Sequence, residues 1–68
     1  MNIDQLIPDG WTTNRDLCEE AVKMLDKFDS DWTYNIVRTR NKKFGEMYSI
    51  LIMDEDGEVV RRVYPRPA

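Results

Sequence analysis

EMYSILIMDEDGEVVRRVYP, residues 46–65, decides the fold. An apolar run, an acidic turn ending in Gly57 and a second β-branched run read as a β-hairpin whose first strand carries apolar side chains on both faces. A strand that is apolar on both sides needs a covering layer on each. The rest of the chain offers one strong helix, so one face of the sheet is left short of a cover.

The turn sets which side chains share a face. A three-residue loop Glu55-Asp56-Gly57 with a glycine bulge pairs Asp54 with Glu58. Met47, Ser49, Leu51 and Met53 then lie with Val59, Arg61 and Val63, while Tyr48, Ile50 and Ile52 lie with Val60, Arg62 and Tyr64. A two-residue Asp56-Gly57 turn exchanges the faces of the third strand.

Upstream, WTYNIVRTR alternates Trp32, Tyr34 and Ile36 against Thr33, Asn35, Val37 and Thr39, and RNKK is a polar turn. Three strands are expected near residues 32–40, 44–53 and 58–64, with Pro65 and Pro67 stopping the last. The helix, over residues 12–29, begins at Thr12 or Thr13 as N-cap, with Asp16 in a weak capping box. Leu17, Ala21, Leu25 and Phe28 form its apolar stripe, widened by Cys18, Val22 and Met24. Glu19 lies four residues before Lys23, and the polar Asp29-Ser30-Asp31 ends the helix. The expected architecture is α+β, one helix packed on a three-stranded antiparallel meander (αβββ) in a single domain spanning 1–68. Residues 1–11 form a lead segment and 65–68 a tail. Ile3, Leu6 and Ile7 of the lead segment sit at the spacing of one helical turn before Pro8-Asp9-Gly10 stops it.

A two-residue first hairpin loop brings Trp32, Tyr34 and Ile36 beneath the helix with Met47, Leu51 and Met53. Tyr48, Ile50, Ile52, Val60 and Tyr64 then face outward with Arg62 as an orienting charge, forming a partner-binding patch. On that reading, Ile50→Glu costs binding and spares the fold. The competing arrangement folds Ile3, Leu6 and Ile7 back over the patch.

Composition narrows the chemistry. Sixty-eight residues from Met1, with no evident tag, read as one complete small domain, and a core of this size rarely supplies more than about 3–5 kcal/mol. Cys18 is the only cysteine, which excludes an internal disulfide, and with no histidine a zinc site would need carboxylates alone. Ser–His and Cys–His nucleophiles are excluded, and no glycine-rich phosphate loop is present. No catalytic, cofactor or metal residue is assigned, and no enzymatic activity is expected. Cys18, beside Glu19 and Glu20, reads as a core thiol, the methionines as gap fillers, and DEDGE as an ordinary turn lacking a calcium loop's ligand spacing. The start lacks the basic and apolar regions of a secretory signal, which points to the cytoplasm.

Charge is divided along the chain. Residues 1–31 hold eight acids against three bases, and residues 32–68 hold five acids against seven bases. The basic cluster Arg38, Arg40, Lys42 and Lys43, with aromatic residues nearby, supports an alternative reading as a nucleic-acid-binding module. An acidic mimic of nucleic acid is weaker, because Lys23 and Lys27 interrupt the helix carboxylates. The principal expectation is a non-enzymatic protein-binding module, acting as a homodimer or as a regulator or inhibitor of a larger protein.

Overall fold

Asn14 has the extended backbone of an N-cap, and its Oδ1 accepts the Leu17 N–H at 3.2 Å. Helix α1 therefore runs Arg15–Phe28, with Asp16 in its first turn and Lys27 in its last, both placed favourably for the helix dipole. The cap expected at Thr12 or Thr13 lies one or two residues later in the chain. Thr12 is buried, and its Oγ1 accepts the Asn14 N–H at 3.2 Å, so it supports the capping residue instead of capping. Asp29 closes the helix by donating its N–H to the Leu25 carbonyl at 2.8 Å. Glu19 is engaged by Arg15, 3.7 Å away on the preceding turn, an exposed pair that contributes little.

The computed structural model describes residues 6–66. In chain order the elements are β1 (Leu6–Pro8), α1, β2 (Thr33–Asn41), β3 (Gly45–Met53) and β4 (Val59–Pro65). The sheet is antiparallel in the order β1-β4-β3-β2, with α1 packed on one face. Among the described residues the fold is thus α+β with one helix, as expected, but the sheet has four strands. The added strand comes from the lead segment. Leu6 and Ile7 extend along the edge of β4 opposite Pro65 and Tyr64, where the sequence spacing had suggested a helical turn. Ile3 lies outside the described residues.

Two features set the phase of the strands, and both differ from the sequence reading. The first hairpin loop has three residues, Lys42-Lys43-Phe44. Asn41 pairs with Gly45, Asn41 Oδ1 accepts the N–H groups of Lys43 at 2.7 Å and Phe44 at 3.1 Å, and Gly45 takes φ +80°. The second hairpin has the expected Glu55-Asp56-Gly57 loop. Asp54 donates to the Glu58 carbonyl at 2.9 Å, its Oδ1 accepts from Asp56 and Glu58 at 3.0 Å each, and Gly57 takes φ +81°. One residue further on, however, Met53 pairs with Val59 while Ile52 pairs with Arg61. Val60 is the extra residue of a β-bulge, and beyond it β4 is turned over relative to the simple alternation.

Tyr34 and Ile36 consequently lie opposite Ile52 and Ile50, and Ile50 lies opposite Val63. This set, with Leu6, meets Cys18, Ala21 and Leu25 of the helix, and Ile50 is completely buried. The expected assignment of faces is thus corrected: α1 covers the side bearing Tyr48, Ile50 and Ile52. Physical chemistry favours this choice, because Tyr34, Ile36, Ile50, Ile52 and Val63 form a contiguous apolar area with the charged Arg38, Arg40, Glu46 and Arg61 around it, whereas the opposite side interleaves Thr33, Asn35, Thr39, Ser49 and Arg62 among its apolar residues. Phe28, expected on the buried stripe, is 74% exposed because the last helical turn leaves the core.

Candidate interaction surface

The second face is crossed at one end by the chain connecting β1 to α1. Asp9 donates its N–H to the Arg62 carbonyl at 3.0 Å and takes φ +64°, turning the chain back across β4. Gly10 then sits against the ring of Tyr64, and the Trp11 ring lies over the Arg62 guanidinium, 4.5 Å from its carbon to the ring centroid. Thr12 lands beside β3 and exchanges two backbone hydrogen bonds with Tyr48, at 2.8 and 2.6 Å. Ser49, fully buried under this crossing, has its hydroxyl 3.0 Å from the Gly10 carbonyl and 2.8 Å from that of Val63. With a single proton to donate, the hydroxyl is shared between them.

The rest of this face has no covering layer among the described residues. Val37, Met47, Leu51 and Met53 are half-buried there. At the end near the first hairpin, Trp11, Phe44, Met47 and Tyr64 line a recess of about 380 Å³. Phe44 is 58% exposed, a large apolar side chain at the rim. On the helix side, a second groove of about 370 Å³ opens beneath the last helical turn, between Leu25, Phe28, Trp32 and Ile52.

The six residues expected to form one outward patch do not share a face. Ile50 is core, and Tyr48 and Ile52 lie beside it under α1. Val60 protrudes at the bulge, 48% exposed. Arg62 lies beneath Trp11, with its buried Nε lacking an acceptor among the described residues, and Tyr64 lies against Gly10. The lead segment does reach the second face, through Gly10 and Trp11 and, at the β1 edge, through Ile7 opposite Tyr64. Leu6 joins the core on the helix side.

The four basic residues are brought together around the β2–β3 hairpin and are exposed. Arg38 is partly neutralised by Glu46 at 3.5 Å, and Lys43 Nζ stands 5.4 Å from the centre of the Phe44 ring. The Tyr48 hydroxyl donates to the other Glu46 oxygen at 2.9 Å, and this bond is the main reason its pKa is raised. At the opposite end of the sheet lie Asp54, Glu55, Asp56 and Glu58, with Asp29 and Asp31 leading into β2. Basic side chains thus gather at one end of the sheet and acidic ones at the other, a division that cuts across the two halves of the sequence, since Asp54, Glu55, Asp56 and Glu58 belong to its more basic half.

Cys18 is buried, and its thiol is pushed up from 9.0 to about 11, first by burial and then by Glu19. The Tyr34 hydroxyl, which donates to the Asp29 carbonyl at 2.9 Å, is also raised, by burial and then by Asp29 and Asp26. Both groups fold in the protonated form, so their contribution to stability is fully present below the unfolded pKa and is lost as pH climbs to the folded one. Urea unfolding should show stability falling between pH 9 and about 11, and Cys18→Ala should reduce the slope. At neutral pH, a thiol reagent should label Cys18 only after urea is added. Labelling of the native protein at the rate of a free thiol would contradict this burial.

Among the described residues, no group of three or more His, Cys, Asp or Glu is placed to hold a metal ion, and no helix is long and apolar enough to cross a membrane. The chain matches no protein-family model, no curated protein and no solved structure.

Proposed function

We propose that this chain is a non-enzymatic protein-binding module that uses the open sheet face to contact another protein, as a regulator or inhibitor of a larger one. The observation that supports this reading is the absence of a second covering layer, among the described residues, over a face that retains Val37, Met47, Leu51 and Met53, with Trp11 and Phe44 at its margin. A contiguous apolar area flanked by exposed Thr33, Asn35 and Thr39 has the make-up of a contact site. A cytoplasmic setting suits the lone thiol.

Leu51, between Asn35 and Arg62, is the residue to test. Leu51→Lys places a charge at the centre of the face, while the lysine stem can lie along the sheet and keep its ammonium in water. In affinity capture with the intact chain, a retained protein should be lost with this variant, while the circular dichroism spectrum is unchanged. Capture through an apolar surface should persist as salt is raised. If the retained species is nucleic acid and its binding collapses steeply with salt, the Arg38, Arg40, Lys42 and Lys43 cluster is the working surface and the protein-binding reading fails.

A further inference from the structure

Strand β2 is the outermost strand of the sheet, and among the described residues nothing pairs with its outer edge from Thr33 to Asn41. The backbone groups it offers can be identified. Tyr48 directs both its N–H and its carbonyl to Thr12, on the side away from β2. Its partner on β2 is Arg38, so this pair does not exchange hydrogen bonds, and the N–H and carbonyl of Arg38 point outward from the edge. By alternation, Tyr34, Ile36 and Arg40 also point their backbone groups outward.

Edge strands are usually protected by shortness, proline or a bulge, and β2 has nine residues with none of these. Its two arginines project on the helix side, where Arg38 is already held by Glu46. The charges flanking the strand are ordered: Asp29 and Asp31 precede it, and Arg40, Lys42 and Lys43 lie at its end or just beyond. Such a strand complements an antiparallel copy of itself, whereas parallel pairing sets like charges together.

We propose that two copies of this chain pair antiparallel through their β2 edges in full overlap, forming one continuous eight-stranded sheet with both helices on the same side. In this register Thr33 faces Asn41 of the second copy, Arg40 faces Tyr34, and Asp31 approaches Lys43. The two-fold axis passes between the two Val37 residues, which form a close pair without hydrogen bonds on the open face. This surface is separate from the contact face proposed above, and neither depends on the other.

Sedimentation equilibrium should give twice the 8.1 kDa chain mass. Arg38→Pro removes an outward N–H that no strand of its own chain uses, so it should give a folded monomer. Asp31→Lys and Lys43→Glu should each weaken dimerisation roughly tenfold, since each alters two symmetric contacts, and combining them should restore it. Val37→Cys should form an intermolecular disulfide under mild oxidation, because a close antiparallel pair has the required Cα separation. Thr39→Cys, displaced from the axis, should not. A monomeric mass for the unaltered chain, a dimer that survives Arg38→Pro, or crosslinking through Thr39→Cys and not Val37→Cys would each overturn the proposal. If Arg38→Pro does not fold, the pair of cysteine variants decides the matter.

Discussion

Ile50→Glu is expected to leave no folded protein. Ile50 has no exposed surface and sits between Ile36 and Val63 under Cys18, Ala21 and Leu25. Removing a buried isoleucine side chain costs about 2–5 kcal/mol, and an unpaired buried carboxylate adds several more or forces the group to take up a proton. A domain of this size has about 3–5 kcal/mol to lose. Far-ultraviolet circular dichroism should show loss of the helix, and proton spectra should lose their dispersion. Ile50→Val is the matched control. It removes one methyl group, costs about 0.5–1.5 kcal/mol and should remain folded with a lower midpoint. A cooperative native-like melt for Ile50→Glu would place this residue outside the core and reverse the assignment of the two sheet faces.

Gly10→Ala should also be costly, for a different reason. A β-carbon at Gly10 would run into the ring of Tyr64, so either the ring or the crossing chain must move. The crossing chain is held on both sides of Gly10, by the Asp9 bond to Arg62 and the paired bonds of Thr12 to Tyr48, and the Gly10 carbonyl faces Ser49. Overpacking of this kind costs about 1–3 kcal/mol, measurable as a lower urea midpoint. The clash has a single partner, which makes it separable. In a Tyr64→Ala background the added methyl has room, so the cost of Gly10→Ala should largely disappear. Strictly additive effects would show that the strain arises elsewhere.

The placement of the helix and of three strands was legible because each rests on a local pattern. Cys18, Ala21 and Leu25 recur at helical spacing, Asp29 supplies a stop, and the Asp54–Gly57 turn carries both a side-chain acceptor and a residue suited to positive φ. The phase of the strands was less legible. VVRR, residues 59–62, presents one valine and one arginine to each side in either phase, so a one-residue slip leaves almost no trace in the pattern. The first hairpin did carry a usable signal. Asn41 followed four residues later by Gly45 is the pairing that a three-residue loop needs, one accepting the loop amides and the other taking positive φ. Strand β1 was missed because three apolar residues at i, i+3 and i+4 are too few to distinguish a helical turn from an extended edge. The candidate surface was lost in part with the phase: an open face was foreseen and Arg62 and Tyr64 lie on that side, but Tyr48, Ile50 and Ile52 of β3 gave place to Met47, Leu51 and Met53.

The bulge at Val60 also determines which changes the chain can absorb. As an exposed residue with no counterpart on β3, Val60 has little to lose by becoming threonine, lysine or glutamine. Removing the position altogether should also be absorbed. With Asp54–Glu58 still anchoring the turn and Met53 on Val59, the shortened strand would pair Ile52 with Arg61 and Ile50 with Val63 as before, so the extra twist of the bulge is lost and no core residue changes sides. An inserted residue is different: with the bulge still holding one extra residue, it would bring Arg62 into the place of Val63 and seat a guanidinium on Ile50. Variants of this fold should diverge there by substitution or by loss of the bulge residue and resist insertion, although the segment lies at the surface beside a turn, where added length is ordinarily tolerated.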